Sequence, residues 1–164
     1  MIYNIPIKKL LIFILLFSIQ GCSDQSGSIE ENEGSSSEVE KEVRKQIKAA
    51  YRLYENSDLK WIDFYNDTYT VITDDGSILE KNADSLKKQW KNIYKKYDVI
   101  VKYHGEPTVI GSGNQALHYN TASEIFIDKK TKDTLSNNSG TWIALWQQQS
   151  DGSWKIILET YKAK

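Results

Sequence analysis

The chain holds a single cysteine, Cys22, among 164 residues, which excludes an intrachain disulfide framework. Two prolines and nine glycines exclude collagen-like and proline-rich architectures. Neither sign of charge prevails: 21 Lys and Arg face 22 Asp and Glu, for a formal net charge of −1. A polybasic nucleic-acid binder carries a strong excess of positive charge, so no nucleic-acid partner is expected. The only histidines are His104 and His118. A zinc site wants three or four His, Cys or carboxylate ligands, so these two read as unrelated strand histidines, and neither metal nor cofactor is expected. Gly111-Ser112-Gly113 lacks the Lys-Ser/Thr of a phosphate loop that opens a helix. Asp74-Asp75-Gly76 lacks the spaced carboxylates of a calcium loop and reads as a turn. No Gly-x-Ser-x-Gly nucleophile elbow is present. No catalytic set is assigned.

What is present begins at the N-terminus. Residues 1–21 contain no acid, and Lys8 and Lys9 precede an apolar run from Leu10 to Ile19 broken only by Ser18. A charged segment followed by an apolar one is the layout of an export signal. As a helix the run spans roughly 15 Å, too short for a bilayer core of about 30 Å. It ends in Ile19-Gln20-Gly21-Cys22, which resembles the lipobox of bacterial lipoproteins, with Gln20 as an atypical second residue. The resemblance implies removal of 1–21 and acylation of Cys22, with membrane lipid as a partner. Two or more acyl chains anchor a protein stably, whereas one does so marginally. Ser23 rather than Asp after the cysteine implies passage to an outer membrane, facing the periplasm or cell surface. The expected address is therefore the bacterial cell envelope.

Residues 22–37 read as the acylated cysteine and a linker rich in Ser, Gly and Glu. The stretch 23–37 has one apolar residue, Ile29, and cannot bury enough surface to offset ordering. The domain is expected at 38–164. Setting aside Lys8, Lys9, Asp24, Glu30, Glu31 and Glu33, it keeps 19 bases and 18 acids, which gives no case for an anionic partner.

Within the domain, helices come first. Ser37 and Glu40 form a capping box. Val39, Val43, Ile47, Ala50, Tyr51 and Tyr54 then recur at helical spacing. Ser57 or Asp58 caps a short second helix with Leu59, Trp61, Ile62 and Tyr65. A strand follows at 68–73. Asn82 or Asp84 caps a third helix, with Leu86, Trp90, Ile93, Tyr94 and Tyr97 on one side. Its Lys87, Lys88, Lys91, Lys95 and Lys96 form a solvated face, or a patch for anionic glycan or lipid headgroups. From Val99 the period becomes two, with strands at 99–110, 115–128, 139–149 and 153–162. Asp151-Gly152 marks the last hairpin, and His104-Gly105 a bulge. In the last strand, Trp154, Ile156 and Leu158 alternate with Ile157 and Tyr161. Both faces of the last two strands are apolar, and one helical layer covers only one face of a sheet. A homodimer through the sheet is expected.

This order of elements resembles the nuclear-transport-factor-2-like superfamily, in its SnoaL-like or ketosteroid-isomerase-like branch. Matching segments are Phe64-Tyr65-Asn66-Asp67, Asp74-Asp75-Gly76, Gly113-Asn114-Gln115-Ala116, and the hairpin from Trp142 to Glu159 with Asp151-Gly152-Ser153-Trp154-Lys155-Ile156-Ile157. The resemblance implies an α+β fold: a cone-shaped, curved antiparallel sheet wrapped around N-terminal helices, with a pocket at its open end. Enzymatic members often place a His in the last strand, where this chain has Leu158 and Thr160. Asn114 replaces a frequent Asp.

Pocket candidates follow from faces and aromatics. His118, Asn120, Ala122 and Glu124 share one face of a strand; they line a pocket, with His118 or Glu124 as a base, or they face water. Trp61, Tyr65, Trp90 and Tyr94 come from the helices and Trp142 from the sheet. Aromatics bury large areas and stack on flat ligands, although most of the five Trp are needed to fill the core. The preferred reading is a lipid-anchored, non-catalytic module binding a small apolar or cyclic ligand or a protein partner. The alternatives are a cofactor-independent SnoaL-like isomerase, dehydratase or cyclase, and a ligand-free structural dimer.

Overall fold

A computed structural model describes residues 33–164, with side chains from Glu38 onward. The expected export signal at 1–21, Cys22 and the expected linker up to residue 32 lie outside the described residues.

Helix α1 spans Glu33–Glu55. It starts before the expected Ser37 cap, so the backbone of 33–37 is helical rather than linker. No proline interrupts 33–38, and each Ser costs only a few tenths of a kcal/mol in a helix (about 0.5 at most), so a packed helix propagates backward cheaply. Val43 and Ile47 are fully buried, with Ala50 and Tyr51 beside them. Tyr51 stacks on Tyr103, ring centroids 3.9 Å apart. Arg44 donates to the Pro107 carbonyl and ties the helix to the sheet.

A 3-10 helix, Leu59–Phe64, follows, and its Asp58 cap accepts from the Lys60 amide. Strand β1 is Tyr65–Ile72 and β2 is Ile78–Asn82. Sequence periodicity missed β2, because it is a short edge strand exposed along its whole length and carries no burial alternation. Helix α2 is Ala83–Lys96, and its Asn82 cap accepts from the Ser85 amide. Strands β3 (Tyr97–Ser112), β4 (Gln115–Asp128), β5 (Thr134–Gln148) and β6 (Trp154–Ala163) complete the chain. No helix of the described residues is long and apolar enough to cross a membrane.

The six strands form one curved, unclosed sheet in the order β2-β1-β6-β5-β4-β3. The expected antiparallel pairing holds throughout except that β1 runs parallel to β6. All of β2, α2 and β3 to β5 lies between these two strands in the chain, which supplies the long crossover that a parallel pair needs.

Two irregularities shape the inner face. In β3 the register jumps from His104↔Thr121 to Thr108↔Tyr119. Gly105 sits there at φ +91°, a conformation glycine adopts without strain, and Pro107 has no N–H to give to a ladder. The second irregularity is in β6: Leu145 pairs with Leu158, but Trp146 pairs with Ile156. The extra residue, Ile157, reverses the alternation. Trp154 and Ile156 face inward opposite Gln148 and Trp146, and beyond the bulge so do Glu159 and Tyr161, opposite Ala144 and Trp142. Strict alternation had put Leu158 with Trp154 and Ile156, and Tyr161 on the other face; the bulge exchanges them.

Candidate functional site

The inner face of the sheet and the helices enclose a cavity of about 100 Å³. Six aromatic side chains wall it: Tyr51 and Tyr54 from α1, Trp61 and Tyr65 from the 3-10 helix and its exit, Tyr103 from β3 and Trp142 from β5. Ala50, Asn120 and Ala122 complete the lining. The placement follows from local periods. Ala50, Tyr51 and Tyr54 lie within one helical stripe of α1. Asn120 and Ala122 are two apart on β4 and so share its inner face, where Asn120 pairs with Trp142 and Ala122 with Tyr103 across the ladders.

Of the eight side chains expected at a pocket, Trp61, Tyr65, Asn120 and Trp142 line the cavity. The other four stand behind it. Trp90 meets Trp61 and Tyr54 edge to face, at 5.4 and 5.1 Å between centroids. Tyr94 accepts from the Trp61 indole at 3.1 Å. Glu124 accepts from the Tyr54 hydroxyl at 2.8 Å.

His118 is fully buried, and its two ring nitrogens are both engaged. The Trp146 indole N–H, which can only donate, points to Nδ1 at 3.0 Å. Nδ1 is therefore the acceptor, and the neutral ring carries its proton on Nε2, 3.1 Å from the Tyr51 hydroxyl oxygen. Burial pushes the imidazole down to about 3, so it is uncharged near neutrality. With no free lone pair, His118 is a positioning group for Tyr51 rather than the base that was one sequence expectation. Since Tyr51 accepts from His118, its own O–H remains a donor with no protein acceptor among the described residues.

A second carboxylate escaped sequence reasoning. Glu159 accepts from the Tyr65 hydroxyl at 2.6 Å and from the Trp142 indole at 2.9 Å. Two of the cavity's walls are thus held by one acid. Burial raises Glu124 and Glu159 above the usual carboxylate range, against the lowering effect of their hydrogen bonds. Burial and the neighbouring carboxylates push Tyr54 and Tyr65 upward, so both tyrosines stay protonated donors.

Not every polar group is matched. Both ends of the Asn120 carboxamide are buried without a protein partner, as is the Tyr161 hydroxyl. Buried polar groups in native proteins are nearly always paired, which makes Asn120 the notable atom pair of the lining. Among the described residues no cluster of three or more His, Cys, Asp or Glu is arranged to hold a metal. On the surface, Lys87 of the basic α2 patch pairs with Asp63 at 2.9 Å. His104 lies elsewhere, on the outer face, bonded to Ser123 at 2.7 Å.

Neither a protein-family model nor a curated protein sequence matches the chain. Solved structures do. A nuclear transport factor 2-like superfamily protein from Salmonella enterica serovar Typhimurium superposes with a TM-score of 0.64 at 14% identity, covering 77% of this chain and 92% of that one. A ketosteroid isomerase-like protein from Erwinia carotovora gives 0.58 at 15% identity, over 80% and 97%. A scytalone dehydratase-like protein from Novosphingobium aromaticivorans gives 0.61 at 10% identity, over 74% and 81%. The fold these proteins share includes both enzymes and binding proteins. At such identities the likeness concerns backbone alone, and its conclusion is that residues 33–164 adopt the nuclear-transport-factor-2-like cone.

Proposed function

We propose that this chain is a lipid-anchored protein of the bacterial envelope whose cone binds a small apolar or cyclic molecule. The observation that carries the reading is the cavity of about 100 Å³ walled by aromatic side chains with a buried, unpartnered carboxamide in its lining. Ligand pockets are mostly apolar with a few convergent polar groups. At roughly 30 Å³ per water, the space holds about three water-sized groups, so the guest is small. The anchor rests on the lipobox at Ile19–Cys22. Trp61 and Trp142 line the space, so a ligand changes tryptophan emission. A fluorescence screen of small hydrophobic and cyclic compounds should return hits, and silence across a broad library would count against the pocket. Cell fractionation of Cys22→Ala should move the protein off the membrane; retention there refutes the anchor.

An acid–base enzyme is the second reading. What favours it is that Glu124 and Glu159, both tied to wall tyrosines, are held above the usual carboxylate range, as proton-transfer groups often are. Hydrogen exchange of a bound cyclic ketone with D₂O would reveal such chemistry, and its absence would leave the binding role.

The partner on the outer face is a second copy. Ile110, Leu117, Leu145 and Leu158 lie side by side across β3 to β6, with Ile110 59% exposed. Near-zero domain charge lets two such faces approach without repulsion. Light scattering should give a dimeric mass that Leu117→Lys halves. A monomer at micromolar concentration overturns the dimer.

A further inference from the structure

We infer that the cavity takes a small hydrocarbon group and rejects guests of the same shape that carry a polar atom, and that Glu159 and Glu124 enforce this choice by drawing off the hydrogen-bond donors of its walls. The inference deepens the binding role proposed above, naming the class of guest and the residues that set it, and rests on that role.

The polar atoms of the walls are bound to other residues. The Tyr65 hydroxyl and the Trp142 indole N–H both donate to Glu159, at 2.6 and 2.9 Å. The Tyr54 hydroxyl donates to Glu124 at 2.8 Å, and the Trp61 indole donates to the Tyr94 hydroxyl at 3.1 Å. The Tyr51 oxygen accepts from His118. Both polar atoms of the Asn120 carboxamide are closed off from accessible space, so this residue meets the cavity through carbon. The surface that the lining turns to the space is accordingly almost wholly carbon. A guest's polar atom leaves water on entry and finds no partner there, which is costly. A hydrocarbon loses no hydrogen bond and gains the hydrophobic and dispersion terms in full. A water needs two to four polar partners, and this wall does not supply them.

Neither glutamate lines the cavity; each stands one hydrogen bond behind it. Neither forms an ion pair among the described residues, so their oxygens serve the wall donors instead. Glu159 serves two walls that come from different strands, Tyr65 of β1 and Trp142 of β5. An ionised carboxylate is a pure acceptor with room for several donors, which suits it to this task. An apolar residue at 159 would leave a phenol O–H and an indole N–H at the border of the space with nothing to bond. The two acids thus act on the guest through the rings they hold, as positioning residues that set specificity.

Two probes test this on the full chain: cyclopentane and tetrahydrofuran, rings of the same atom count in which one methylene is exchanged for an ether oxygen. Affinities are read from protein amide shifts by NMR. A polar atom left unpaired in a buried site weakens binding by about ten-fold or more. The expected result is that cyclopentane binds at least about ten-fold tighter than tetrahydrofuran, and that Glu159→Met brings the two within about three-fold, because the freed Tyr65 and Trp142 donors then meet the ether oxygen. Equal affinity for the unmodified protein, or a preference for the ether, would mean that a wall donor reaches the guest, and overturns the inference while the pocket stands. A ten-fold preference that survives in Glu159→Met overturns the role given to Glu159. Failure of both rings to bind removes the pocket and the inference together. The comparison of ring against ring needs no variant, so a poorly folding Glu159→Met does not leave the question open.

Discussion

Protonation of His118 should set the acid stability of the domain. The ring is fully buried, held between the Trp146 indole and the Tyr51 hydroxyl, and lowered from an ordinary 6.5 to about 3 by burial. In the unfolded chain it takes up a proton near pH 6.5, whereas in the folded chain it does not until about pH 3. The unfolded state therefore binds more protons between these limits, and stability falls as pH falls. At about 1.4 kcal/mol per pH unit below 6.5, the loss between pH 7 and pH 5 is about 2 kcal/mol, against a total of roughly 5–15 kcal/mol for a domain. Glu124 and Glu159 act in the opposite sense, since raised carboxyl groups favour the fold as pH falls. The comparison that isolates the histidine is His118→Gln, which is neutral throughout and leaves both glutamates in place. At pH 7 the variant should be less stable by about 1–3 kcal/mol for a disturbed buried hydrogen bond. By pH 5 the gap should narrow by about 2 kcal/mol. Urea unfolding followed by tryptophan emission at pH 7, 6 and 5 measures it. A gap that stays constant across this range would refute the buried, neutral imidazole.

Other perturbations have distinct outcomes. Gly140→Ala places a Cβ against the Tyr161 ring and 2.5 Å from the Lys162 carbonyl oxygen, an overpacking that should cost about 1–3 kcal/mol; an unchanged melting temperature would show that β6 yields freely there. Ala122→Leu projects added carbons into the cavity and should abolish ligand-induced emission changes with circular dichroism unaltered; persistent responses would place the ligand elsewhere. Asn82→Ala removes the cap oxygen that accepts from the Ser85 amide and should destabilise the domain by about 1 kcal/mol, measured by thermal melting, where no effect would mean that tertiary contacts alone hold the start of α2.

The two carboxylates show where sequence reading reached the site and where it stopped. Glu124 was found because β4 keeps an unbroken period of two from Ala116 through Glu124, so His118, Asn120 and Glu124 fall on one face by counting. Glu159 was missed because counting fails across Ile157. One inserted residue sends every later side chain of β6 to the opposite face, and no residue type at 157 announces it. Tyr51 and Tyr54 were placed correctly on the apolar stripe of α1, yet nothing local separates a stripe that fills a core from one that walls a cavity. Tyr103 lies within the long strand β3, just before the irregularity that begins at the expected His104-Gly105.

Short-range physics, written in spacing and turn chemistry, was sufficient for the order of elements apart from β2, for narrowing the caps to Ser57 or Asp58 and to Asn82 or Asp84, and for the hairpin at Asp151-Gly152 and the α+β class. Each of these depends on a few neighbouring residues. The parallel union of β1 with β6, the tautomer of His118, the hold of Glu159 on two walls and the isolation of Asn120 emerged only on folding. They join residues distant in sequence, and which polar groups meet partners is settled when the sheet curves over the helices.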